Sequence, residues 1–454
     1  MTNRSRHPDL VRDVPFHVMT MPTGPACNLE CEYCYYLEKS ELYPERGDFR
    51  MSEDTLEEFV KQYIEAQPGS QVTFAWQGGE PTLRGIDFYR KAVRLQQEYA
   101  PADTRIVNTI QTNGTRLNEE WCQFLAENDF LVGISIDGPR ELHNRYRKTR
   151  SDGPTFDEVM NGLSLLQNHD VEYNVLCVLN SYNSQYPLRV YEFFKDQGVE
   201  WMQFIPLVEF PDDAETVTTD PDSSTPETDP DESDHSAYPW VQAWADLPEE
   251  NDDGYQEVLD AAREAPTTAR SVDPAAYSTF MRTIFDEWVR NDLGNVSVRL
   301  FDQCLGMALS GKASLCLYME TCGDQVAMEH NGDVYACDHF VDPGFKRGNI
   351  HQTHLTEMLD SEDQREFGEY KREGLPTRCR ECSVQEFCHG GCPKNRHLQT
   401  PAGDLGLNYL CAGYRSFFSY VQPYLEIVER TIQENKPLPF VMDHVATRDE
   451  HASS

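Results

Sequence analysis

Lysine is scarce in this chain: 10 of its 454 residues are lysine, against 29 arginines. Together they face 77 carboxylates, for a formal net charge of −38. A field of that sign repels phosphate backbones and anionic headgroups, which removes nucleic acid and membranes from the expected partners. A lysine-poor, carboxylate-rich surface is expected of a halophilic protein, because high salt screens the self-repulsion. Long apolar runs are missing too. No stretch approaches the roughly 18 apolar residues of a membrane span, and the opening "MTNRSRHPDLVRDVPFHVMTMPTG" has no signal-peptide core. The expected location is therefore cytoplasmic, where thiols stay reduced. In that compartment 14 cysteines point to metal ligands or catalysis rather than disulfides.

After a tail at 1–14, short apolar runs alternate with helical patterns over 15–210. The candidate strands are "FHVMTM", "QVTFAW", "RIVNTIQ", "FLVGISI", "VEYNVLCVL" and "EWMQFIPL". Between them lie helices such as "MSEDTLEEFVKQYIEA", with Ser52 as its cap and Leu56, Phe59, Val60 and Tyr63 on one face. This order predicts an α/β fold, a parallel sheet with helices outside, either open and doubly wound or an incomplete barrel. In both, chemistry sits at the C-terminal strand ends. Residues 211–236 hold ten acidic side chains and no basic one, and the whole of 211–272 is expected to be a disordered insertion. A linking helix and strand at 273–300 follows, with Tyr277, Phe280, Met281, Ile284, Phe285 and Trp288 as a packing stripe. A cysteine-rich region at 301–420 has little apolar periodicity, so metal would supply its stability. A C-terminal helix and tail at 421–454 end the chain.

"CNLECEYC" places Cys27, Cys31 and Cys34 directly after the first strand. Zinc sites close with four protein ligands, whereas three cysteines leave one iron of a four-iron cluster open to an outside ligand. The loop with Tyr33, C-x3-C-x-aromatic-C, resembles that of the radical S-adenosylmethionine (SAM) superfamily. That resemblance implies a partial (β/α)6 barrel in which SAM fills the open iron site and yields a 5′-deoxyadenosyl radical. "GGEP" (Gly78, Gly79, Glu80, Pro81) follows the second strand, "QTNG" with Asn113 the third, and "SIDGP" with Ser135 the fourth. Glu80 could accept a hydrogen bond from the SAM ammonium, and Arg147 is a candidate partner for its carboxylate.

Eight further cysteines follow, and their spacing C-x2-C-x5-C-x3-C resembles that of the SPASM domain of peptide-modifying radical SAM enzymes. The resemblance implies a small domain with two auxiliary 4Fe-4S clusters, three clusters in all. Cys316, Cys322, Cys337 and Cys392 would hold one, and Cys379, Cys382, Cys388 and Cys411 the other. Zinc is the alternative for this block. Cys122, Cys177 and Cys304 lie on apolar faces and read as packing residues.

Within this group "CNLECEYCYYLEK", "WQGGEPTL", "QTNGT", "YNVLCVLN", "QFIP", "GDVYACDHF" and "NYLCAGY" are similar to the anaerobic sulfatase-maturating enzymes. Those oxidise a Cys or Ser of a sulfatase to Cα-formylglycine. The resemblance implies Asp338 as the catalytic base and Tyr36 as a residue near substrate. It also implies a sulfatase or other peptide substrate, with an electron donor such as ferredoxin or flavodoxin. Two other readings stand beside it: a SPASM maturase that forms thioether or carbon–carbon crosslinks, and a non-enzymatic iron–sulfur or zinc protein.

Overall fold

The computed structural model describes residues 10–36, 38–43, 49–211, 254–437 and 440–441. The chain divides into two units, 1–177 with 320–373, and 178–319 with 374–454.

All six expected strands form: β1 His17–Thr20, β2 Gln71–Trp76, β3 Arg105–Thr112, β4 Phe130–Ser135, β5 Tyr173–Leu179 and β6 Trp201–Pro206. In the first unit β1 to β5 pair in order and in parallel. The intervening helices bury the apolar faces that their sequences carry. In helix Glu53–Ala66, the Ser52 hydroxyl accepts from the Thr55 N–H at 3.0 Å, and Leu56, Phe59, Val60 and Tyr63 are buried. Phe59 and Tyr63 pack on Phe74, and Phe59 also meets Trp76, both on the buried face of β2.

The sheet does not stop at the expected boundary. Gln325–Met328 (β8) lies parallel beside β1, with His17 opposite Gln325 and Thr20 opposite Met328. Asp333–Tyr335 (β9) and Lys346–Asn349 (β10) extend it antiparallel. Part of the presumed cysteine-rich domain, 320–373, therefore belongs with the first unit. Backbone pairing to β1 supplies an order that side-chain periodicity did not reveal.

In the second unit β6 pairs with Ser297–Val298, β7 in chain order. Helices Pro274–Glu287 and Cys411–Gln433 pack closely, because a Cβ at Gly413 would stand 2.3 Å from the Pro274 carbonyl oxygen. The Tyr277–Trp288 stripe is buried, as are Cys122, Cys177 and Cys304. The expected disorder over 211–272 is corrected at its end: Tyr255–Arg263 is a helix burying Val258, Leu259 and Ala262, an apolar face sufficient to fold it. Residues 212–253 lie outside the described residues, as do 1–9 and 442–454 of the two tails.

Candidate radical SAM site

β1 runs out into the loop that carries the three cysteines, and the chain seals that loop from three sides. From β2, the Gly79 N–H donates to the Gly24 carbonyl at 2.8 Å and Glu80 N–H to that of Ala26 at 2.9 Å. A Cβ on Gly79 would sit 2.4 Å from the Ala26 oxygen, so only glycine admits this approach. From β3, Asn113 Nδ2 donates to Asn28 Oδ1 at 3.1 Å and reaches the Cys27 sulfur at 3.7 Å. Beyond β4, Glu30 and Glu32 N–H groups donate to the carbonyls of Lys148 and Tyr146 at 2.9 and 3.0 Å.

Glu80 organises two of these sides. It is fully buried and accepts from the Thr82 N–H (3.0 Å) and hydroxyl, the Thr112 hydroxyl (2.8 Å) and the Asn113 N–H (2.8 Å). Burial raises its pKa while these donors oppose the shift. These donors make Glu80 a brace of the turn that follows β2.

Tyr33 and Arg147 share a second buried device, Asp137 of "SIDGP". The Tyr33 hydroxyl donates to Asp137 Oδ2, and Arg147 Nε lies 2.9 Å from the same oxygen. Burying a guanidinium requires a counter-charge, and Asp137 provides it. Ser135 Oγ accepts from Gln111 Nε2 at 3.0 Å.

The three thiols fit cluster ligands. The Leu29 N–H donates to the Cys27 sulfur at 3.3 Å, which suits a thiolate. Without a metal, burial pushes Cys27 up to about 12 and Cys31 up to about 11, so a bound cation must displace their protons.

Beside this loop, Tyr36 packs among Met21, Ala327, Tyr335 and Val341. Burial, then the Asp338 carboxylate, pushes its phenol well above the usual range, so it stays protonated. Burial would raise the Asp338 carboxyl, but His339, the Cys337 thiol and Lys39 outweigh it and keep it low. Cys337 Sγ lies 3.0 Å from Asp338 Oδ1, and His339 Nε2 3.7 Å from Oδ2. Lys39 Nζ donates to the Asp338 carbonyl at 2.7 Å. An ionised carboxylate next to an un-ionised phenol separates a proton acceptor from a hydrogen-bond donor.

In the second unit, Cys379, Cys382, Cys388 and Cys411 line one cavity of about 300 Å³ with Arg378, Asn408 and Arg415. Arg396 donates to the carbonyls of His389, Gly390 and Gly391 at 2.7, 3.0 and 3.2 Å, closing the loop that follows Cys388. Of the other expected set, Cys322 and Cys337 lie in the first unit, and Cys316 and Cys392 in the second.

The Radical SAM superfamily profile matches residues 21–194, and that of an iron–sulfur cluster-binding domain, SPASM, matches 311–383. A serine-type anaerobic sulfatase-maturating enzyme of Bacteroides thetaiotaomicron is 41% identical over 93% of this chain and 93% of its own. The chain belongs to the anaerobic sulfatase-maturating enzymes. A cysteine-type member of this family from Clostridium perfringens is 32% identical over 92% of this chain and 100% of its own. The solved structure of native anSMEcpe with bound AdoMet and Cp18Cys peptide is 31% identical, covers 92% of this chain and 100% of that one, and superposes with a TM-score of 0.73. The expected fold class, a radical SAM α/β domain followed by a small cluster-binding domain, is that of the family. Among the described residues, no helix is long and apolar enough to cross a membrane.

Asp137 and Lys39 were not singled out from sequence, although both lie in quoted strings, "SIDGP" and "CYYLEK". An acidic residue in a turn and a lysine beside aromatics carry no chemical signal until their partners are known.

Proposed function

We propose that this maturase oxidises a Ser or Cys side chain of a sulfatase to Cα-formylglycine, with SAM and three 4Fe-4S clusters as cofactors. The observation that carries it is Asp338: a carboxylate next to Cys337, with its Oδ2 3.7 Å from His339 Nε2 and its main chain tied through Lys39 to the segment that follows Cys34. Making an aldehyde from such a side chain requires removal of one hydrogen atom from the β-carbon, one proton from oxygen or sulfur, and one electron. SAM at Cys27, Cys31 and Cys34 supplies the radical that takes the hydrogen atom, and auxiliary clusters, one at Cys379, Cys382, Cys388 and Cys411 and one at Cys316, Cys322, Cys337 and Cys392, suit the electron.

Asp338 takes the proton. Tyr36 donates from its protonated phenol toward the reacting side chain. The turn at Gly78, Gly79 and Glu80, with Asn113, Ser135 and Arg147, binds SAM. Tyr33 orients Arg147 through Asp137. A reduced ferredoxin or flavodoxin supplies the first electron. For a serine the product is the aldehyde itself; for a cysteine, water replaces the sulfur, which leaves as hydrogen sulfide.

The test is anaerobic incubation of reconstituted protein with SAM, reductant and paired Ser- and Cys-x-Pro-x-Arg peptides. At least one peptide should gain an aldehyde, and Asp338→Asn should lower the aldehyde yield by about 100-fold or more while deoxyadenosine still forms. SAM cleavage with no aldehyde from either peptide would rule the proposal out.

A further inference from the structure

Lys39 lies five residues beyond Cys34, in the turn Glu38–Leu42, with its side chain sunk to 8% exposure. An ammonium is costly to bury unless something uses its charge and its donors. Its Nζ donates to the Asp338 carbonyl at 2.7 Å and stands 4.4 Å from the Tyr36 ring centroid and 4.6 Å from that of Tyr35. The two rings themselves lie 4.4 Å apart. One nitrogen thus meets both the main chain of Asp338 and the aromatic pair that follows Cys34.

We propose that Lys39 is a positioning residue for the oxidation, pinning Asp338 in register with Tyr36; this rests on the reading of Asp338 as the base. The need for such a pin follows from the geometry. Asp338 opens the three-residue turn Asp338–Phe340, which no side-chain cap closes, and Lys39 supplies a main-chain hydrogen bond from outside that turn. A charge under two rings is screened by little water and holds its place. A compact ammonium also suits a site that must satisfy a carbonyl and two ring faces at once, where a planar guanidinium fits less well.

The experiment compares Lys39→Met and Lys39→Arg with the parent holoenzyme, scoring iron content, deoxyadenosine released and peptide aldehyde formed. Lys39→Met should keep its iron yet lose about tenfold in aldehyde per deoxyadenosine, and Lys39→Arg should regain part of that ratio. Adding Lys39→Met to Asp338→Asn should lower the ratio no further, since both act on one group. A Lys39→Met ratio within about twofold of the parent overturns the proposal. So does a loss of iron in step with aldehyde, which marks a structural role, or an additive double variant. If the parent makes no aldehyde from either peptide, the maturase reading fails first and takes this proposal with it. If the parent makes aldehyde and Lys39→Met matches it, only the proposal falls.

Discussion

Two cysteine sites of this enzyme are built on opposite plans. The loop with Cys27, Cys31 and Cys34 hangs between strand ends, with backbone hydrogen bonds to 79–80 and 146–148 and a side-chain link to Asn113. Each anchoring segment is braced by a buried carboxylate, Glu80 or Asp137, that has its own protein donors. The site with Cys379, Cys382, Cys388 and Cys411 is built from two four-residue helices, Thr377–Arg380 and Gln385–Cys388, and the first residue of a long one. Its four cysteines line one cavity, and three of the thiols are pushed up by burial, Cys379 to about 11 and Cys388 to about 12. Helices this short do not hold themselves together. One set of cysteines is held by hydrogen bonds from its neighbouring segments, and the other is framed by helices too short to be stable alone.

Removing ligands from each site breaks the comparison most severely. Replacing Cys27, Cys31 and Cys34 by alanine should abolish SAM cleavage and leave thermal unfolding almost unchanged. Replacing Cys379 and Cys382 should cost several kcal/mol of stability, a share of the ~10–16 kcal/mol that a structural metal supplies in small domains. Hydrogen exchange after anaerobic chelation gives the same contrast, with faster exchange at 377–392 than at 26–34. Equal acceleration in both segments would mean that the plans do not differ.

A smaller effect comes from the brace itself. Glu80→Ala strands the Asn113 and Thr82 N–H groups and the Thr82 and Thr112 hydroxyls in a buried turn. That should cost about 3–5 kcal/mol, measured by urea unfolding of the apo-protein. A loss under about 1 kcal/mol would show that water reaches the turn and that the carboxylate is not its support.

Much of this was legible in the sequence because the reactive site follows the order of the chain. Three turns at successive strand ends need no knowledge of long-range contacts, and neither does a capped helix such as 53–66. What stayed hidden depends on pairings far apart in sequence. β8 is four residues long, and what places it is β1, about three hundred residues earlier. Glu80 and Arg147 have internal partners that the motifs alone did not name, Thr112 and Asn113 for the first and Asp137 for the second. Lys39 was invisible for the same reason: its meaning lies in Asp338, not in its neighbours. Charge density also misled at 255–263, where three well-spaced apolar residues were enough to fold a helix in an acidic stretch.

The smallest effect separates the sites by pH. His143 is fully buried; its Nδ1 accepts from the Asp137 N–H at 3.2 Å and its Nε2 lies 3.1 Å from the Thr155 hydroxyl. Burial, assisted by Arg147 and opposed by Asp137, pushes the imidazole down to about 3. Its ordinary value is about 6.5, so as pH falls the unfolded chain takes up the proton first and the folded state is disfavoured. Stability is intact above pH ~6.5 and declines toward pH ~3, with about 2 kcal/mol lost by pH 5 through this one group. His143→Asn should remove that share of the slope between pH 7 and pH 5 in urea unfolding. Because His143 holds the backbone of Asp137, the parent's acid-induced exchange should quicken at 29–34 and 137–149 before it does at 377–392. An unchanged slope in the variant, or exchange that begins at 377–392, would place the acid-sensitive support elsewhere.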